Sequence, residues 1–167
     1  MDWYAILVVG HIIGVVLGVG GETFAEIFHL RAMRDGQIDA VEGDFLKTTY
    51  RILRAGLLLL VLSGFGFLLY YRLTGQSELI YQAHFLAKLT IVGILLANAV
   101  MMQARKMPLW LGSAISLTSW YGALIIGAWG SGIGTSYFTI MGMYIIAIGA
   151  VAVAMSFVRE FLGVKLP

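Results

Sequence analysis

The side chains best suited to chemistry are two histidines and a lysine within long apolar stretches: His11, His84 and Lys88. Neutral imidazole nitrogens bind haem iron, and helix bundles build cofactor sites from side chains on facing helices. Gly14 and Gly18 follow His11 at helical spacing and would let a flat macrocycle approach the helix. This set predicts a haem b site in which His11 and His84 are the candidate axial ligands of the iron.

Two other interpretations of the same residues stay open. One histidine could bind the iron while Lys88 pairs with a haem propionate or completes the coordination. A purely structural role is also consistent with the pattern, because Gly10, Gly14 and Gly18 have the GxxxG spacing of helix-packing contacts. An intramembrane histidine is often a hydrogen-bonding member of the bundle.

A second polar group lies further along the same stretch. Glu22 and Glu26 are one helical turn apart and could relay protons or bind a cation, and Glu26-x-x-His29 has the spacing of half a di-iron motif. A charge within a bilayer costs about 2.5–3.5 kcal/mol. We therefore expect the two carboxylates to pair with Arg51 or Arg54 of the next helix, with His29 at the headgroups.

Both groups belong to one predicted helix. At about 100° per residue, its polar and glycine-lined positions fall on a single face, namely His11, Gly14, Gly18, Gly21, Glu22, Ala25, Glu26 and His29. The opposite face is apolar. A lipid-facing helix has no use for a polar stripe, so the stripe must contact protein, water or a ligand.

The composition indicates an integral membrane protein. The 167 residues are 60% hydrophobic and 12% charged, whereas a soluble domain carries about 25% charge. A spanning helix needs roughly 20 apolar residues, so the chain has room for about five. The net charge of +2 is too small to indicate a nucleic-acid partner, and the lack of cysteine excludes disulfides and thiolate ligands.

We therefore predict an all-α bundle in one transmembrane domain, with spans at about 3–28, 55–71, 79–102, 109–129 and 137–158. Asp39 and Glu42 have the spacing of a capping box, which predicts that the second helix begins near Ala40, outside the hydrocarbon. Asp35-Gly36 is a turn signal before it.

Lysine and arginine predict the orientation. They cluster in alternate connections and in the tail (Arg31, Arg34, Lys47, Arg51, Arg54, Arg105, Lys106, Arg159 and Lys165), while the second connection has only Arg72 and the fourth has none. By the positive-inside rule, the N-terminus lies outside and the C-terminus in the cytoplasm. The start at Asp2-Trp3-Tyr4 does not look like a cleavable signal peptide. We expect an integral protein of a prokaryotic plasma membrane.

Two stretches resemble known haem-binding membrane families. Gly10-His11-Ile12-Ile13, followed by Gly18-Val19-Gly20-Gly21, resembles the first helix of the copper-resistance protein D-like proteins and of the bacterial membrane protoporphyrinogen oxidases. The stretch from His84 to Lys88 is similar to their lysine-bearing helix. The resemblance covers the first three spans and implies haem b held between helices, with His11 as ligand and Lys88 as its charged partner.

Three functions are therefore open. The first is a haem b-binding protein that acts in electron transfer or porphyrin redox chemistry. This function includes a haem-dependent membrane oxidoreductase. The second is a small transporter or channel for protons or metal cations that uses Glu22, Glu26 and His29, with Asn98 on the path. The third is an accessory subunit whose glycine-rich faces bind a second copy or another membrane protein. In each case the lipid bilayer is a partner.

Overall fold

The computed structural model describes residues 2–33, 37–129 and 134–163, which form five long α-helices and one short 3-10 helix. In chain order the α-helices are α1 (Trp3–Ala32), α2 (Ala40–Leu73), α3 (Ala83–Gln103), α4 (Leu109–Trp129) and α5 (Tyr137–Phe161), with the 3-10 helix at Ser77–Tyr81. All five α-helices are long and apolar enough to cross a membrane. The predicted all-α bundle with five spans is confirmed.

The start of α2 follows the predicted capping box. The backbone N–H of Glu42 donates to Asp39 Oδ1 at 2.7 Å, and the backbone N–H of Asp39 donates to Glu42 Oε2 at 3.1 Å. The 34 residues of α2 extend over about 51 Å at 1.5 Å per residue, which exceeds the roughly 30 Å of hydrocarbon. Its first turns, including Lys47, therefore extend beyond the hydrocarbon. The turn signal Asp35-Gly36 and the charges Arg34 and Lys165 lie outside the described residues.

Three helix ends differ from the predicted spans. The helix α1 continues one turn past residue 28 to Ala32, and α3 begins at Ala83 because a 3-10 helix precedes it. The helix α5 continues to Phe161 and so includes Arg159, which the sequence placed in the tail. This last difference matters most, because it brings a cation into the bundle.

Glycines bring the backbones of α1 and α2 into direct contact. A Cβ atom on Gly14 would lie 2.8 Å from the backbone nitrogen of Leu60, and one on Gly56 would lie 2.8 Å from the backbone nitrogen of Gly18. The two helices run antiparallel, so moving along α1 toward its N-terminus corresponds to moving forward along α2. This register places His11 opposite Ser63.

Trp120 of α4 occupies the centre of the bundle. Its side chain is 1% exposed and packs with Leu60 and Leu95. A Cβ atom on Gly18 would collide with the Trp120 ring, so glycine is required where α4 crosses α1. A second core cluster joins α3, α4 and α5 and includes Ile91 and Tyr144. The glycine face of α1 is therefore filled by protein.

The glycine contact leads to a stability prediction. We expect Gly14→Ala to lower the free energy of unfolding by about 1–3 kcal/mol, because the added methyl group meets the backbone of α2 and the helices must separate. Gly20→Ala is the control, since nothing lies within 4 Å of a Cβ atom there. Unfolding in mixed detergent micelles, followed by circular dichroism, measures both; equal stability of the two variants would contradict the packing described.

Candidate functional site

A cavity of about 710 Å³ lies between α1, α2, α3 and α4. His11, His84 and Lys88 all line it, so the structure brings the three residues selected from the sequence to one space. The volume is within the range of roughly 300–1,000 Å³ that ligand pockets occupy. A medium-sized cofactor therefore has room beside both histidines.

A hydrogen bond determines which ring nitrogen of His11 carries the proton. The Ser63 hydroxyl has one proton, and it donates to the backbone carbonyl oxygens of Leu59 at 2.6 Å and Leu60 at 3.1 Å. His11 Nδ1 lies 2.9 Å from Ser63 Oγ, and with the Ser63 proton on these carbonyls we assign Nδ1 as the donor of this bond. The Nε2 atom of the neutral ring therefore keeps a free lone pair, the form of histidine that binds iron.

Aromatic rings extend from His11 across α2 to α3. The ring centroids of His11 and Phe67 are 5.5 Å apart, those of Phe67 and Tyr71 are 6.1 Å apart, and those of Tyr71 and Phe85 are 6.2 Å apart. All four of these residues line the cavity. Flat apolar rings can pack on a flat macrocycle and keep water away from it.

Lys88 supplies the positive charge of the cavity. Its Nζ atom lies 5.7 Å from the centroid of the Phe85 ring, a cation–π distance, and His84 precedes it by one helical turn. No carboxylate forms an ion pair with Lys88 in the part of the chain that the structure describes. The ammonium group is thus available to an anionic group of a ligand.

Gly14 and Gly18 do not contribute to this cavity, and the prediction that they admit a macrocycle is wrong. Gly14 is covered by the backbone of α2, and Gly18 is covered by the ring of Trp120. Neither glycine has space for a cofactor at the position where a side chain would project. The GxxxG interpretation, helix packing, describes them correctly.

No protein-family model, curated protein or solved structure matches the chain. The geometry of the chain's own residues therefore carries the functional assignment. The resemblance of the first three spans to the copper-resistance protein D-like and protoporphyrinogen oxidase proteins stays a prediction.

The second polar group contains a buried ion pair. Arg159 Nη2 of α5 donates to Glu26 Oε1 at 3.1 Å, and the two side chains are 6% and 13% exposed. The expectation that Arg51 or Arg54 pairs with the carboxylates is wrong, because both arginines are exposed on α2. Continuation of α5 past residue 158 is the physical reason for the difference.

Glu22 and His29 complete this group. The Glu22 side chain is buried, and Ser116 of α4 lies close to its carboxylate. His29 is half-buried and lies close enough to Glu26 and Arg159 to interact with both charges. Among the described residues, no group of three histidine, aspartate or glutamate side chains could hold a metal ion.

The two polar groups are separated inside the bundle. Between His11 and Glu22, the polar face of α1 is closed by the contact of Gly14 with α2 and of Gly18 with Trp120. The stripe that seemed continuous in the sequence is thus interrupted by packed protein. Asn98 is buried in its own contact, where Nδ2 donates to the Gly112 carbonyl oxygen at 2.9 Å.

Two partners, Ser63 and Arg159, were not predicted from the sequence. Ser63 is opposite His11 in the antiparallel register that the close glycine contact imposes. Arg159 continues the buried stripe of α5 one turn after Met155, and it lies one residue beyond the predicted end of the span. The position of Arg159 could be inferred from residue spacing along one helix. The position of Ser63 could not, because it depends on how α1 pairs with α2.

Proposed function

We propose that the chain is a haem b-binding integral membrane protein that acts in electron transfer or porphyrin redox chemistry. One observation carries the proposal: a histidine whose Nδ1 proton is directed to Ser63 lines a cavity that it shares with His84 and Lys88. A hydrogen bond at the second ring nitrogen is the usual support of a metal-binding histidine.

In this proposal His11 would hold the haem iron through Nε2. His84 would supply a second ligand, and Lys88 would either pair with a propionate or supply that second ligand itself. Ser63 holds the His11 ring in orientation, and Phe85 restrains the Lys88 ammonium group. Bound haem b supplies one-electron redox chemistry in a site of this kind.

The distribution of lysine and arginine supports a location for the cavity. Under the positive-inside rule, the end of the bundle that holds His11 faces outward, and the end that holds the Glu26–Arg159 pair faces the cytoplasm of a prokaryotic cell. The proposed redox site then lies in the outer half of the plasma membrane, close to a partner on that side.

An absorbance spectrum tests the proposal directly. The full chain is expressed with ample haem, purified in detergent, and measured first oxidised and then after reduction with dithionite. We expect a Soret band that shifts on reduction, together with sharpened α and β bands. Protein that folds but carries no Soret band would refute the proposal.

The role of Ser63 gives a finer prediction. Ser63→Ala removes the acceptor for His11 Nδ1–H, so the ring loses its orientation, and we expect haem affinity to fall about 10–100-fold. The matched control is Ser156→Ala, because Ser156 donates only to a carbonyl oxygen of its own helix, Ala152, at 2.8 Å. Haem titration of each purified apoprotein gives the affinities; equal losses in the two variants would count against the ligand role of His11.

A further inference from the structure

A second cavity, of about 910 Å³, forms a groove between α1, α4 and α5. Its walls are almost entirely apolar along α4 from Leu117 to Trp129, a length of about 18 Å at 1.5 Å per residue. Among the residues that the structure describes, none that lines this groove also lines the His11 cavity. The groove is therefore a separate space, and its contents do not depend on haem.

Six residues with hydroxyl or carboxylate side chains line the groove: Thr23, Glu26, Thr118, Tyr121, Thr135 and Tyr144. Three of them, Tyr121, Glu26 and Thr118, are the candidate partners of a ligand. Thr23 Oγ1 donates to the Val19 carbonyl oxygen at 2.7 Å, so we assign the Tyr121 hydroxyl, 2.9 Å away, as the donor to Thr23. The Tyr121 oxygen is left with free lone pairs. Glu26 uses Oε1 for Arg159, and Oε2 has no hydrogen bond within the described part of the chain. Both groups can accept a hydrogen bond but have no proton to offer.

Thr118 is the third candidate partner of a ligand, after Tyr121 and Glu26. It is 7% exposed, and its hydroxyl has no hydrogen-bond partner among the described residues. Thr49 and Thr90 instead donate to the carbonyl oxygen four residues earlier in their helices. The Thr118 oxygen itself is buried, so its hydroxyl reaches a molecule in the groove only by changing to the other of the two χ1 rotamers between which helical threonine divides. A buried hydroxyl without a partner costs free energy that a ligand would recover.

The charges select among possible ligands. Glu26 and Arg159 neutralise each other, so the groove has no net charge to hold a charged head group. An anionic head would meet the free oxygen of Glu26 and be repelled. A neutral head that donates hydrogen bonds fits both acceptors, and an apolar chain fits the wall toward Trp129.

We propose that this groove binds a neutral lipid-soluble molecule that carries a hydroxyl head on an apolar chain. Its hydroxyl donates its one proton to one of the two acceptors, Glu26 Oε2 or the Tyr121 oxygen, and it receives a hydrogen bond from Thr118. A long-chain alcohol and an alkyl hydroquinone share this chemistry, and the experiment below distinguishes them.

The test uses the full chain in phosphatidylcholine nanodiscs, with and without haem, and isothermal titration calorimetry with empty nanodiscs subtracted. The probes are decylhydroquinone, 1-dodecanol, and the methyl ether of each. We expect saturable binding of at least one hydroxyl probe and at least tenfold weaker binding of its methyl ether. Preference for decylhydroquinone identifies an aromatic head, and preference for dodecanol identifies an aliphatic alcohol.

Two variants locate the binding in the groove. Thr118→Val keeps the shape and removes no hydrogen bond of the free protein, so we expect unchanged stability and about fivefold weaker binding. Tyr121→Phe should weaken binding about as much. Thr48→Val and Tyr81→Phe are the matched controls, because both residues are exposed and lie outside the groove.

Two results would overturn the proposal: binding no stronger than in empty nanodiscs, or methyl ethers that bind as well as the hydroxyl probes. The second result would mean that the groove holds only apolar chains or a partner helix. Binding that is the same with and without haem supports the groove site even if the haem proposal fails.

Discussion

Protein with His11→Ala, expressed with ample haem, should show no Soret absorbance, whereas His29→Ala protein should keep it. His11 lines the 710 Å³ cavity and has its Nδ1 proton assigned to the Ser63 hydrogen bond, which leaves the Nε2 lone pair for the proposed iron. His29 lies beside Glu26 and Arg159 at the other end of α1. It is a matched control because it is the same residue type on the same helix.

The spectra of two further variants distinguish the alternatives for the second axial position. If His84 is a ligand, His84→Ala converts a low-spin spectrum to a high-spin one while haem stays bound. If Lys88 is the ligand, Lys88→Ala makes that change instead. If Lys88 pairs only with a propionate, Lys88→Ala weakens haem binding without a change of spin state. Retention of a full Soret band in folded His11→Ala protein would contradict the assignment of His11.

Loss of Arg159 should have the largest effect on stability. In Arg159→Ala the carboxylate of Glu26 stays buried without a partner, and breaking a buried ion pair in this way costs about 3–5 kcal/mol. Arg54→Ala is the control, because Arg54 is exposed, and exposed substitutions change stability by about 0.5 kcal/mol or less. Detergent-induced unfolding of the three proteins measures the difference.

A double variant shows whether the stability lost in Arg159→Ala comes from breaking the Glu26–Arg159 ion pair. Replacement of Glu26 and Arg159 together by leucine removes both charges, so we expect it to recover most of the stability that Arg159→Ala loses. A coupling free energy of more than about 0.5 kcal/mol in the cycle of Glu26→Leu, Arg159→Leu and the double leucine variant would confirm direct contact. If Arg54→Ala destabilised the protein more than Arg159→Ala, the observed pairing would be wrong.

The helical architecture could be predicted because each span carries its own signal. Apolar length gives the five helices, and the Asp39–Glu42 spacing gives the start of α2. These signals are local, so they do not depend on how helices meet. The residue at which a helix ends near the membrane boundary has no such local signal. The continuation of α5 through Arg159, past the predicted end, is an example.

The residues of the candidate site were found from their type, but their partners were not. His11, His84 and Lys88 stand out as polar groups in apolar helices, and the structure places them on one cavity. Glycines are ambiguous, because the missing side chain serves a flat cofactor and a crossing helix equally well. Only the three-dimensional position of Trp120 shows that the space at Gly18 is already filled.

The packing of Trp120 against Gly18 also has an electrical consequence. A membrane that stores an ion gradient is discharged by any continuous aqueous path through its proteins. Here a ring that is 1% exposed stands between the two polar ends of α1. A hydrated ion would have to shed its water to pass, at a cost of several kcal/mol. The centre of the bundle therefore behaves as an insulator between the two polar ends of α1.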